Sequence, residues 1–370
     1  SLAVARPEDY LVKINLPTCD GSANVKHITQ NSDWGDINNS QYDIFCVYPG
    51  DYSGQGYINI TQSGTEGSPK WLRWYNPADP SDTTTHPYHM DDADRAKIFR
   101  FEIGGDHWVV DRITSDGATL SSSMRAESNH IVLNRLLYQN LTVTMMSLRG
   151  NDITLQNSVF RYAIPNPGVD NHAIYVGGGG DGDLYTNDIH IINNEMLDVT
   201  DQVQVGPDAG RRIVISGNDF YQTPAYYSDC SGNIDPAGDC GCGEQPVTFK
   251  GPAWTDSWHI VEYNNIRDTK PGDSACGSSG GASMVISLSS HNAATTNILF
   301  HRNIVWGDNL RNVIRHGIGA QNIVYQENVF VTDPNPPSVT GDHILSTAGS
   351  SDMIVFESNV LSTSPTNWLA

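Results

Sequence analysis

Ile153-Thr-Leu-Gln-Asn157-Ser-Val-Phe160, Ile189-His-Ile-Ile-Asn-Asn194-Glu-Met196 and Ile213-Val-Ile-Ser-Gly-Asn218-Asp-Phe220 are three copies of one short pattern. Each alternates apolar residues, then places an Asn, then a further apolar residue two positions on. Alternation with period two marks a short strand with one buried face. An Asn at the same corner each time predicts a turn residue that tolerates the left-handed region and bonds to nearby backbone.

Working outward, the pattern continues in both directions. Trp108-Val-Val-Asp111-Arg-Ile113 and Ile131-Val-Leu-Asn134-Arg-Leu136 precede it, with corners at Asp111 and Asn134. Later corners fall at Asn265, Asn303, Asn328 and Asn359, each after a run such as Ile298-Leu-Phe-His-Arg or Ile323-Val-Tyr-Gln-Glu. The spacing between later corners varies, which places insertions at one corner of an otherwise regular coil and so on one face. No helical pattern alternates with the strands, so a doubly wound sheet is disfavoured, and a propeller needs longer repeats. What remains is an all-β parallel helix whose coils stack ~4.8 Å apart. Repeats of this kind need only their neighbours, so 370 residues fit one domain. Residues 1–50 are expected to form an N-terminal cap region, 51–361 the coils and 362–370 a tail. Tyr10–Leu16 is expected as a strand within the cap.

The formal net charge is -21, which disfavours a nucleic-acid partner, since phosphates require clustered Lys and Arg. No apolar run approaches ~18 residues, so no membrane span is expected. Six cysteines in loop-like contexts predict up to three disulfides in a secreted protein. Cys19 with Cys46, and a separate cluster of Cys230, Cys240, Cys242 and Cys276, is the natural partition; Cys-x-Cys with distant partners fits zinc poorly. A start at Ser1 is consistent with a processed secreted form or a trimmed chain. His86-Pro-Tyr-His89-Met-Asp91-Asp92-Ala-Asp94 superficially resembles a metal cluster, but without helical spacing it is expected to be a solvated loop.

The coil period, the Asn corner and openings such as Val47-Tyr-Pro-Gly-Asp51 resemble the right-handed parallel β-helix proteins of the pectate-lyase-like superfamily, over roughly Phe45 to Leu361. The resemblance implies a single-stranded right-handed parallel β-helix with long loops on one face. It also implies a secreted, monomeric protein acting on a polysaccharide, although some members are adhesins or phage tail fibres.

A second strand column locates the candidate site. It reads Ala173-Ile-Tyr-Val-Gly177, Gln202-Val-Gln-Val-Gly206, Pro246-Val-Thr-Phe-Lys250, Met284-Val-Ile-Ser-Leu288, Asn312-Val-Ile-Arg-His316 and His343-Ile-Leu-Ser-Thr347. With Ile174, Val203, Val247, Val285, Val313 and Ile344 inward, alternation sends Tyr175, Gln202, Gln204, Thr248, Lys250, Asn312 and His316 outward. Arg315 then falls inward, which an unpaired charge tolerates only at an open end or after a register slip. His172, Asp201 and Glu244 precede the strands, Arg149 lies one coil earlier, and the longest insertions (161–170, 221–243, 267–282) wall the same column. Polar side chains on one sheet face beside long loops make the best candidate site.

Two chemistries suit these residues. β-Elimination from a uronic acid needs its carboxylate neutralised, a base for the C5 proton and an acid for the leaving oxygen. The resemblance to superfamily lyases implies Lys250 as base, His172 or Tyr175 as acid, and Asp201 and Glu244 holding a cation or orienting the base. Arg149, Gln202, Gln204, Arg315 and His316 would contact sugar. Asp181 and Asp183, in a glycine-rich loop, would be oxygen ligands for Ca²⁺. The alternative is a glycoside hydrolase using Asp201 and Glu244, whose separation would set the stereochemical outcome. The polygalacturonase motifs and the signature of the commonest pectate lyases are absent. A non-catalytic carbohydrate-binding or adhesive β-helix is the third reading, with 8 Trp and 16 Tyr as stacking platforms.

Overall fold

The computed structural model describes residues 5–125, 127–163, 172–177, 186–199, 201–207, 209–223, 246–250, 257–268, 286–288, 296–307, 312–316, 320–332, 343–347 and 352–362. Apart from one four-residue helix and three short 3-10 turns, their regular structure is strand, and every strand-to-strand pairing is parallel. The expected parallel β-helix is present.

Each coil contributes strands to three faces. The first face is a 12-stranded sheet that begins at Val25–Ile28 and Ile44–Val47 and ends at Asp352–Glu357. The second is a stack of short strands, including Leu137–Gln139, Val159–Arg161, Glu195–Leu197, Asp219–Gln222, Asn265–Asp268 and Ile304–Gly307. The third includes Met146–Leu148, His172–Val176, Asp201–Val205, Val247–Phe249, Ile286–Leu288 and Asn312–His316. Two long strands near the start, Gly50–Ile60 and Ala96–Ile103, run through both the second and third faces and join them into one 19-stranded sheet. Inside, like residues stack on like. Ile131, Ile153, Ile189 and Ile213 share one row, Phe160, Met196, Phe220 and Ile266 another, and all are buried. Period-two alternation in the sequence thus becomes a continuous apolar core, because each coil covers the open end of the one before.

The corner between the first and second faces carries the Asn ladder, with four corrections. Asn194, Asn218, Asn264, Asn303, Asn328 and Asn359 are joined side chain to side chain at 2.9–3.0 Å. The ladder residue in its coil is therefore Asn264, and the expected Asn265 lies one position out, where its amide reaches Asp219. Asp111 and Asn134 end the strands of the first face instead, and the ladder position in their coils holds Ile113 and Leu136. In the next coil it is Ser158, not Asn157, whose backbone N–H donates to Asn194 Oδ1 at 2.9 Å. Nor is the ladder Asn the left-handed residue. Positive φ falls on its predecessor, at Asn193, Gly217, Tyr263, Arg302, Glu327 and Ser358. A left-handed L-residue costs roughly 1–2 kcal/mol. Here the next residue's bonds hold the turn, since each Asn accepts from one neighbour's backbone N–H and donates to a carbonyl of the preceding coil.

Tyr10–Leu16 forms no strand. After a helix at Pro7–Tyr10 the chain lies along the side of the stack. Tyr10 packs 5.5 Å from the His190 ring, Val12 exchanges two hydrogen bonds with the Gln156 amide, and Pro17 accepts from Arg73. The Cys19–Cys46 disulfide then fastens it to the first face. The other four cysteines lie outside the described residues. His86 caps a short 3-10 turn by accepting from Tyr88 N–H at 3.0 Å, and no group of three His, Cys, Asp or Glu is placed to hold a metal among the described residues. Among the described residues no helix is long and apolar enough to cross a membrane.

Candidate active site

The third face positions most of the expected residues, but its register corrects several. Ile174, Val203 and Val247 share a register row that continues through Ile286, Ile314 and Leu345, and Ile174, Val203, Val247 and Ile314 in it are buried. The expected Val285, Val313 and Ile344 are each one residue early, and Val285 lies outside the described residues. Two adjacent apolar residues make alternation ambiguous, and the neighbouring strand decides. Arg315 is consequently in backbone register with Tyr175, Gln204 and Thr248.

His316 moves the other way, into the core. It is fully buried, stacks on Tyr325 and pairs its Nε2 with that hydroxyl at 2.8 Å, and burial lowers its pKa to about 4. It therefore packs the helix and does not face a substrate. Gln202 is corrected likewise. The third-face strands bend at their start, so that Ala173 and Ile174 both join the core. Gln202 is fully buried, and its amide donates to the carbonyls of Met196 and Tyr221 at 2.9 and 3.0 Å, tying the corner.

What comes together is a compact group on two successive coils. His172 and Asp201 are register partners, both buried, with Nδ1 3.3 Å from Oδ2 but off the line of a hydrogen bond. The Tyr175 ring lies 5.5 Å from the His172 ring. Gln204 follows Tyr175 in its row, and Ser147 precedes it. Sequence reasoning missed Ser147; its signal is a lone hydroxyl between Met146 and Leu148.

Beside this row runs another, set by backbone bonds. Gly177 N–H donates to Leu148 O, Gly206 to Val176 O and Lys250 to Val205 O, at 3.0, 2.8 and 2.8 Å. Arg149, Gly177, Gly206 and Lys250 therefore stand on four successive coils, with a cation at each end and two glycines between. A side chain at Gly206 would meet the Tyr175 hydroxyl at 2.5 Å, so the phenol lies across the glycine. The group is under-satisfied for its burial. Arg149 Nε, His172 Nδ1, both Asp201 carboxyl oxygens and Gln204 Oε1 are buried without a hydrogen-bond partner. Buried polar groups are normally paired, so each such atom calls for an explanation. Glu244, Asp181 and Asp183 lie outside the described residues.

No family model and no curated protein matches the chain by sequence. Among solved structures it is similar to the C387A mutant of DFA-IIIase from Arthrobacter chlorophenolicus A6 in complex with DFA-III, at 11% identity and TM-score 0.51, over 93% of this chain and 83% of that one. It is also similar to the alginate lyase of Paenibacillus sp. str. FPU-7, at 12% identity and TM-score 0.48, over 93% and 97%. PfbA, a surface adhesin of Streptococcus pneumoniae, aligns at 10% identity and TM-score 0.46, over 99% and 93%. The first of these likenesses carries the fold and no more: this chain is a parallel β-helix.

Proposed function

We propose that the chain is a polysaccharide-acting enzyme that cleaves an acidic, uronic-acid-containing polysaccharide by β-elimination. The observation that supports it best is the buried His172–Asp201 pair beside Tyr175, in a patch bounded by Arg149 and Lys250. The two cations meet the substrate carboxylate, and the Tyr175 phenol, lying across Gly206 between them, is placed beside the sugar ring. Neutralising that carboxylate acidifies the C5 proton.

Nδ1 of His172 lies beside Asp201 and leaves Nε2 for the substrate; a small turn of the imidazole as substrate binds brings Nδ1–H onto the carboxylate, which then holds the tautomer. The neutral imidazole takes the C5 proton, the C–H electrons form the C4–C5 double bond, and the C4–O bond breaks. The Tyr175 hydroxyl protonates the departing oxygen. Asp201 orients, and Gln204 offers its unpaired amide oxygen to a sugar hydroxyl. In this scheme Lys250, expected from the sequence as the base, neutralises charge. Lys250→Arg separates the two roles, because it keeps the charge but not a titratable amine. The Cys19–Cys46 disulfide supports a secreted, oxidising setting. Chelation tests the separate proposal that Asp181 and Asp183 hold Ca²⁺.

The test incubates the protein with polygalacturonate, alginate and neutral polysaccharides, following ultraviolet absorbance alongside reducing ends. Absorbing, unsaturated product is expected from an acidic polymer. Reducing ends without absorbance would replace elimination by hydrolysis through Asp201 and Glu244, and neither signal would leave a binding or adhesive β-helix.

A further inference from the structure

The outer side of the second face carries a row that the proposed chemistry does not use. Arg161, Leu197, Tyr221, Arg267 and Trp306 are register partners on five successive coils. The Arg267 guanidinium lies 5.1 Å from the centre of the Tyr221 ring and 4.6 Å from that of Trp306. Trp306 is 39% exposed. Arg267 Nε is buried with no hydrogen-bond partner, and no ion pair joins Arg267 among the described residues. That is unexpected in a chain of formal net charge -21, where carboxylates outnumber cations two to one (42 against 21).

The geometry has a chemical consequence. A guanidinium is planar and donates only in its plane. With aromatic rings against it from two coils, its N–H edge is what it has left to offer, and that edge matches a carboxylate in two-point fashion. The exposed Trp306 ring beside it supplies an apolar surface with a polar rim, which suits a sugar ring. Arg161, three coils away or ~14 Å along the axis, repeats the aromatic packing, 4.5 Å over Tyr88 and 5.1 Å over Tyr162, but its Nε and Nη2 already donate to Gln139 Oε1, so Arg267 alone of the two keeps a free edge among the described residues. Glu195 and Asp219 occupy the adjacent row, nearer the Asn ladder, and repel an anionic chain from that side.

We propose that this row is a second polysaccharide-binding surface, which takes a carboxylate of a uronic-acid-containing chain on the Arg267 edge and a sugar ring on Trp306. It rests on the acidic-polysaccharide reading for its choice of ligand and on none of the catalytic residues. The surface holds a long polymer while the third face acts on it, so it matters for polymers and not for short oligosaccharides.

Affinity electrophoresis of the full chain through gels containing polygalacturonate, alginate, dextran sulfate or dextran tests it. A His172→Ala background leaves the polymer intact. Retardation by the uronate polymers and not by dextran is expected. Arg267→Gln and Trp306→Ala should each weaken it about 5- to 20-fold, and Arg267→Lys less, because it keeps charge without the planar edge. Unchanged retardation in Arg267→Gln and Trp306→Ala overturns the proposal. So does a parent protein that uronate polymers do not retard, or one that only dextran sulfate retards, which would make sulfate the ligand. The two proposals fail separately. Loss of retardation in Arg267→Gln without any unsaturated product from the native chain leaves the surface standing and removes the lyase, whereas polymer turnover indifferent to Arg267→Gln does the reverse.

Discussion

The Asn ladder and the third-face patch are both rows of buried polar side chains, and they differ in one respect. In the ladder every rung is satisfied. Asn264, for example, accepts from Asn218 through both backbone and side chain, and donates to Ile215 O and Asn303 Oδ1, all within 3.0 Å. In the patch, Asp201 is just as buried, yet neither carboxyl oxygen is hydrogen-bonded. A satisfied buried amide stabilises, whereas an unsatisfied one costs roughly 1–3 kcal/mol. The ladder is therefore a device for holding coils in register. The patch is a place where stability is given up for something else, as expected of atoms waiting for a substrate.

Substitutions at matched positions can break or sharpen this contrast. The largest effect is expected at Asp201→Asn. Turnover of the acidic polymer should fall by about 10²- to 10⁴-fold, while denaturant unfolding shows no loss of stability. A stability loss there would place Asp201 with the ladder as scaffold. Asn264→Ala should show the opposite pair of results, with stability lowered by about 3 kcal/mol and little change in turnover per folded molecule.

Glu262 tests an intermediate case. It is 1% exposed, faces Tyr10 and Asp9 of the N-terminal segment, and has Tyr263, His301 and Arg302 around it. Burial raises its pKa to about 7. The unfolded carboxyl titrates near ~4.3. Below that, both states hold the proton and there is no net effect. As pH rises towards 7 the unfolded chain releases its proton first, so the native state loses ground, and the full penalty stands above 7. Urea unfolding should therefore show Glu262→Gln equal to the native chain near pH 4 and more stable at pH 8 by on the order of 1–3 kcal/mol. Equal stability at both values would mean that the carboxyl is not desolvated. The smallest effect belongs to Asn265→Ala, one residue from the ladder and exposed, which should change stability by less than about 0.5 kcal/mol.

Much of this was legible in the chain itself, and the misreadings share a cause. Stacked coils repeat their side chains, so rows such as Ile153, Ile189 and Ile213 appear as aligned text. The candidate site was legible as a set of exceptions in that text, which is how His172, Tyr175, Asp201, Gln204 and Lys250 stand out. Alternation failed where two neighbours have the same character. Asn264 and Asn265 are both Asn, and Val313 and Ile314 are both apolar, so nothing local distinguishes them. The slip at Val313 alone sent His316 outward on paper, whereas it is buried. Arg267 escaped notice because its meaning lies in Tyr221 and Trp306, each dozens of residues away and adjacent only across coils.

The sequence by itself determined the parallel β-helix, through apolar residues at period two and polar corners at coil spacing, because burying such strands requires a neighbour above and below. Tertiary structure decided register and satisfaction: which Asn enters the ladder, that His316 enters the core, and which buried polar atoms find partners. Those depend on distances between coils that no window of sequence contains. The difference between the satisfied ladder and the unsatisfied patch is of this second kind.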